Sequence, residues 1–124
     1  MKKFFVMAAL LFATSTAAHE MTPTYPELKP SYVEGILVAK LNLWNRRQDV
    51  SYYEIKVFDQ DFNPIRFAAV DRILKLSYLD KTTFDVYIRK FDLNRAKYIC
   101  TESKLLKSDV QSTGIKSMIC SKIK

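Results

Sequence analysis

Apolar and polar residues alternate with a period of two along much of this chain, the pattern of strands with one face turned to a core. Leu37, Ala39, Leu41 and Leu43 alternate with Val38, Lys40, Asn42 and Trp44, and Asn45-Arg46-Arg47-Gln48-Asp49 follows as a polar turn. From Val50 to Phe58 the alternation resumes, with Tyr53, Ile55 and Val57 on one face and Tyr52, Glu54 and Lys56 on the other. Asp59-Gln60-Asp61-Phe62-Asn63-Pro64 is turn chemistry, because Asp and Asn side chains bond their own backbone. Weaker strands are expected over Ile65 to Val70 and Ile73 to Leu76, and only the stretch around Leu74 to Leu79 also fits a helical turn. Phe84, Val86 and Ile88 against Asp85, Tyr87 and Arg89 mark a strand from Thr82 to Phe91. Ala96 to Thr101 and Ile115 to Lys124 read as the last two strands, joined by the polar segment Glu102 to Gly114. About seven short strands with little helical periodicity predict an all-β, immunoglobulin-like antiparallel sandwich.

The first residues follow another rule. Lys2 and Lys3 precede the apolar run Phe4 to Ala13, and Thr16-Ala17-Ala18 offers a small-x-small cleavage site before His19. A membrane-spanning helix needs about 20 apolar residues, and Thr14-Ser15-Thr16 interrupts this run sooner. The expectation is a signal helix over 1–18 and one domain over 19–124, exported to a periplasm or secreted, with no stable membrane insertion. Pro23, Pro26 and Pro30 make the start of that domain extended, an edge strand or an arm.

Charge changes this picture little. The chain carries +7, and loss of Lys2 and Lys3 would leave +5. The basic residues are scattered, so they read as a solubilising surface, and an exported protein rarely meets nucleic acid. Cysteine changes it more. An even pair, Cys100 and Cys120, in an oxidising compartment argues for a disulfide across adjacent strands.

Catalytic chemistry is hard to place. Asp59-x-Asp61-x-Asn63 opens like a calcium loop, but Pro64 and Val70 stand where Gly and a bidentate Glu belong. His19 is the one histidine, so an activated nucleophile lacks its base, and Gly35 and Gly114 cannot build a phosphate loop. Carboxylates such as Glu54 and Asp85 would have to meet in space to form an acid–base pair. The expectation is a protein without catalytic residues, metal or cofactor. Tyr52, Phe58, Tyr87 and Phe91 fall on faces opposite the core and suggest an exposed aromatic patch for a partner.

Leu41-Asn42-Leu43-Trp44-Asn45, the polar turn and the strand Val50 to Phe58 resemble the second and third strands of the periplasmic pilus (PapD-like) chaperones. Thr83-Phe84-Asp85-Val86-Tyr87-Ile88-Arg89, Tyr98-Ile99-Cys100-Thr101-Glu102-Ser103 and the closing Ile119-Cys120-Ser121-Lys122-Ile123-Lys124 are similar to later strands of that family's first domain. The resemblance covers about residues 22–124. It implies a protein-binding module that completes an unfinished sheet in its partner by strand addition. Its donor row would be Ile115, Ser117 and Ile119, with Lys122 in the basic ending and Lys124 matching the residue that anchors a subunit's carboxylate. The family's first-strand Arg has no counterpart before Arg46, and Ser117 interrupts the apolar row. Two other functions fit the same fold: a structural or adhesive subunit of an envelope or virion assembly, built from copies of itself, and an enzyme inhibitor acting through the loop Glu102 to Gly114.

Overall fold

The computed structural model describes residues 19–104 and 116–124. The expected signal and its cleavage site, Ile115 and most of the loop before it lie outside the described residues. Eight strands are described: β1 (Glu20–Thr22), β2 (Lys29–Pro30), β3 (Ile36–Trp44), β4 (Tyr52–Phe58), β5 (Ile73–Lys75), β6 (Lys81–Arg89), β7 (Tyr98–Lys104) and β8 (Met118–Lys122). They form two antiparallel sheets. In the first, β3 pairs with β6 on one side and with β1 and β2 on the other; the second has the order β5-β4-β7-β8.

The period-two reading sets which residues pack between the sheets. Ala39, Leu41 and Leu43 from β3, Phe84, Val86 and Ile88 from β6, Tyr53, Ile55 and Val57 from β4, and Ile99 from β7 are buried in one core. β3, β4 and β6 thereby turn their apolar sets inward and their charged residues outward.

The proline-rich start changes sheets twice. β1 pairs with the end of β3 (Glu20↔Trp44, Thr22↔Asn42). The chain then crosses to the second sheet, where the carbonyls of Thr24 and Pro26 accept hydrogen bonds from Lys122 and Lys124. It returns to pair Lys29 with Val38 in β2. This arm closes one side of the sandwich.

Two expectations change. Residues 65–70 are not a strand: Ile65 bonds to Val57 in the second sheet and Ala68 to Tyr87 in the first. The segment is the crossover between the sheets and follows neither far enough to pair as a strand. Leu74 to Leu79 makes no helical turn; β5 ends at Lys75, Leu76 is buried, and Leu79 takes a left-handed φ of 68°.

Candidate functional site: the open edge of the last strand

β8 ends its sheet, so one row of its backbone groups faces away from β7. The row is identified by residue parity. Ser103 N–H donates to Ser117 O and Ile123 N–H to Lys97 O, so odd-numbered residues carry the bonds to β7. Even-numbered N–H groups point outward. Lys122 N–H and Lys124 N–H reach Thr24 O at 3.1 Å and Pro26 O at 2.9 Å. Among the described residues, nothing pairs with the outward N–H of Met118 or Cys120. Among the described residues the edge is capped along its second half and makes no hydrogen bonds along its first, where β1 lies close beside it.

Side chains follow the same parity, offset by the pleat. Ser121 is buried, and Ile119 and Ile123 are half-buried and pack against the core. Met118, at 44% exposure, and the exposed Lys122 and Lys124 take the even parity, on the outer side. The residues expected to act together are thus split: Ser117 and Ile119 look inward, Lys122 and Lys124 outward. The apolar row of β8 serves its own core first, so what the edge offers a partner is its backbone.

Cys100 and Cys120 form the expected disulfide. They sit directly opposite each other in the β7–β8 ladder, their Cα atoms 4.0 Å apart. This is a non-hydrogen-bonded pair, the closer of the two antiparallel pairings. It closes a separation of 20 residues, worth about 3 kcal/mol in the chain-entropy account. The bridge holds β8 against β7, on the side away from its outer edge.

A buried polar cluster fixes the chain just before the open stretch. His19 is 1% exposed. Its Nε2 lies 3.0 Å from Thr101 O and 2.9 Å from Thr101 Oγ1, and its Nδ1 lies 3.4 Å from Ser117 Oγ. Arg47 Nη1 also donates to Ser117 Oγ at 3.3 Å, while the rest of its guanidinium grips Asp49. One assignment satisfies all of these: Nε2–H donates to Thr101, and Nδ1 accepts from the Ser117 hydroxyl. The imidazole packs on Tyr53 with centroids 4.4 Å apart. Burial, with Arg47 nearby, pulls its pKa down to about 4 despite the Thr101 carbonyl. His19 is thus a neutral peg that ties the start of β1 to β7 and to Ser117.

Asn45, the last residue of the Leu-x-Leu-x-Asn stretch, is fully buried. Its Nδ2 donates to Val50 O (2.7 Å) and Leu76 O (2.9 Å), and its Oδ1 accepts from Arg47 N–H (2.9 Å) and the Tyr53 hydroxyl (2.5 Å). The amide reaches its hydrogen-bonding limit by tying the turn between β3 and β4 to the loop after β5 and to Tyr53 in β4, which is why an Asn at this place is structural.

The expected aromatic patch does not assemble. Tyr52 and Phe58 lie on β4 and Tyr87 on β6, so they belong to outer faces that look in opposite directions. Phe58 joins Phe62, which stacks on Tyr98 at 4.8 Å. Of the four, Phe91 alone is strongly exposed, at 83%. Glu54 and Asp85 are likewise separated by the sandwich and cannot act as a pair. Asp59 Oδ1 is occupied by the N–H groups of Asp61 and Asn63, the bonds of a turn.

Sequence reasoning missed the cap and the histidine peg. The proline spacing carried a signal for the first: Pro26 suits an arm that offers only carbonyls. For the second, the alternation of Ile99, Thr101 and Ser103 places two hydroxyls on an inward face, where each needs a partner.

Compared with known proteins, the chain matches no family model and no curated protein. Its fold matches the crystal structure of the E. coli chaperone DraB, with a TM-score of 0.62 over 86% of this chain at 12% sequence identity. The chain spans about half of that protein, 53% of its length. The pilus-chaperone resemblance therefore holds as a shared fold, an immunoglobulin-like sandwich.

Proposed function

We propose that the protein is an exported, chaperone-like protein-binding module that takes up an extended segment of a partner on the open edge of β8. The observation that carries this reading is the pair of outward N–H groups at Met118 and Cys120 that bond no described residue, on a strand held in place by a disulfide. An unpaired strand edge is a template for another chain, and no proline or bulge blocks it at those residues. The shared fold with a chaperone and the oxidised cysteine pair both fit this reading, the latter also fitting export.

Met118→Pro tests it. This change removes one outward N–H and leaves the odd-numbered bonds to β7 intact, a position where an edge strand tolerates proline. Met118→Ala removes the side chain and keeps the N–H. Capture of a partner from envelope extract should fall at least tenfold with Met118→Pro and persist with Met118→Ala, both variants keeping a β-type circular dichroism spectrum. Equal capture by both variants and the native chain would place binding elsewhere.

A further inference from the structure

The arm that crosses to the second sheet occupies half of the same edge, and its chemistry is one-sided. Lys122 N–H bonds Thr24 O and Lys124 N–H bonds Pro26 O, so residues 24–26 run parallel to 122–124. In a parallel ladder the return bond would run from the N–H of residue 26 to Lys122 O. Residue 26 is proline, which has no N–H. The cap therefore accepts from β8 and at Pro26 gives nothing back.

The arm is also set apart from what holds the N-terminal region in place. Met21 and His19 are buried, and β1 and β2 are both paired along β3. Thr24 and Tyr25, at 63% exposure for the tyrosine, lie outside the core, and Pro26 alone of these three is buried. Lifting residues 24–26 from β8 costs their two hydrogen bonds and the burial of Pro26, while β1 and β2 stay paired with β3. The open stretch Met118–Cys120 is too short to hold a strand firmly, since it offers outward groups on only two residues. A longer strand must take Lys122 and Lys124 as well.

We infer that residues 24–26 are a displaceable cap on the partner edge: an incoming strand seats first on Met118–Cys120 and then replaces the arm at Lys122 and Lys124. The inference rests on the strand-addition reading for its partner, though the cap itself is a property of the free chain. The segment it selects is an extended one of six or more residues that carries an N–H, and so no proline, where Pro26 sits. Proline at position 26 keeps the exchange favourable, because the newcomer makes the bond to Lys122 O that the arm lacks.

Pro26→Val restores an N–H with a side chain of similar volume, and Pro26→Ala restores it with a smaller one. Residue-resolved amide exchange on the free, disulfide-intact chain should show Lys122 and Lys124 exchanging at least tenfold faster than Ile119 and Ser121 in the native protein. Pro26→Val should slow Lys122 and Lys124 threefold or more, leave Ile119 and Ser121 unchanged, and slow capture from envelope extract severalfold. Should Pro26→Val loosen the whole domain, seen as faster exchange at Ile119 and Ser121, Pro26→Ala gives the same reading with less crowding. Unchanged or faster exchange at Lys122 and Lys124 in a variant with Ile119 and Ser121 intact overturns the cap. Loss of capture with Met118→Pro, while Pro26→Val captures at the native rate, overturns the displacement of the arm and spares strand addition. Slower exchange in Pro26→Val, with capture indifferent to Met118→Pro, overturns strand addition and with it the exchange.

Discussion

The Tyr53 hydroxyl donates to the Oδ1 of Asn45 across 2.5 Å of buried space, joining the middle of the core to the turn that precedes β4. Burial raises the Tyr53 pKa to about 12, so it stays a donor throughout the physiological range. Asn45 in turn holds the carbonyls of Val50 and Leu76. Asn45→Ala would leave two carbonyls and a phenol unpaired in the interior, at about 1–3 kcal/mol for each buried group stranded. We expect a loss of about 3 kcal/mol or more in urea unfolding. Asn45→Asp should be destabilising as well, since it keeps the Tyr53 contact and loses both Nδ2 bonds.

Removing the bridge should cost a similar amount. Cys100→Ala with Cys120→Ala is expected to cost about 3 kcal/mol and to lower the melting temperature without changing the fold. The native protein should show no free thiol until reduced, then take up two alkyl groups by mass.

Acid should destabilise through His19. Its pKa in the folded chain is about 4, against 6.5 for a free imidazole, so the unfolded state binds its proton first as pH falls. The contribution is present above pH 6.5 and is lost between 6.5 and 4, about 3 kcal/mol in all. The folded-state carboxylate shift at Asp49 is downward, held there by Arg47, so that group's loss comes at lower pH. Unfolding free energies measured across this range should show the slope in the native chain and a flat line in His19→Gln.

The fate of Ile119 separates two uses of β8. Its side chain is half-buried against the core, so Ile119→Asp should unfold or loosen the domain and not merely blunt an edge. Lys124→Ala removes an exposed charge and should leave stability within about 0.5 kcal/mol. Thermal unfolding of the two variants checks both.

The sandwich was legible because its strands alternate cleanly: Tyr53, Ile55 and Val57, or Phe84, Val86 and Ile88, could face only one core. The cysteine pairing was legible from the even count, the expected export and the adjacent strands. Residues 65–70 were not, because a crossover bonded to both sheets in turn carries the composition of a strand. The aromatic patch failed for a related reason: alternation tells which residues leave the core, but not which sheet they leave by, and Tyr52 and Tyr87 leave by opposite ones. The arm over Lys122 was hidden because it is a pairing between chain ends, set by backbone carbonyls that no side-chain pattern records.

Strand addition is tested most directly by the amide exchange of Met118 and Cys120 in the protein alone and with its captured partner bound. Both amides should exchange rapidly in the free chain and gain at least tenfold protection in the complex, with Ile119 and Ser121 already protected in both. A complex that forms while Met118 and Cys120 keep their free-state exchange rates would contradict the account.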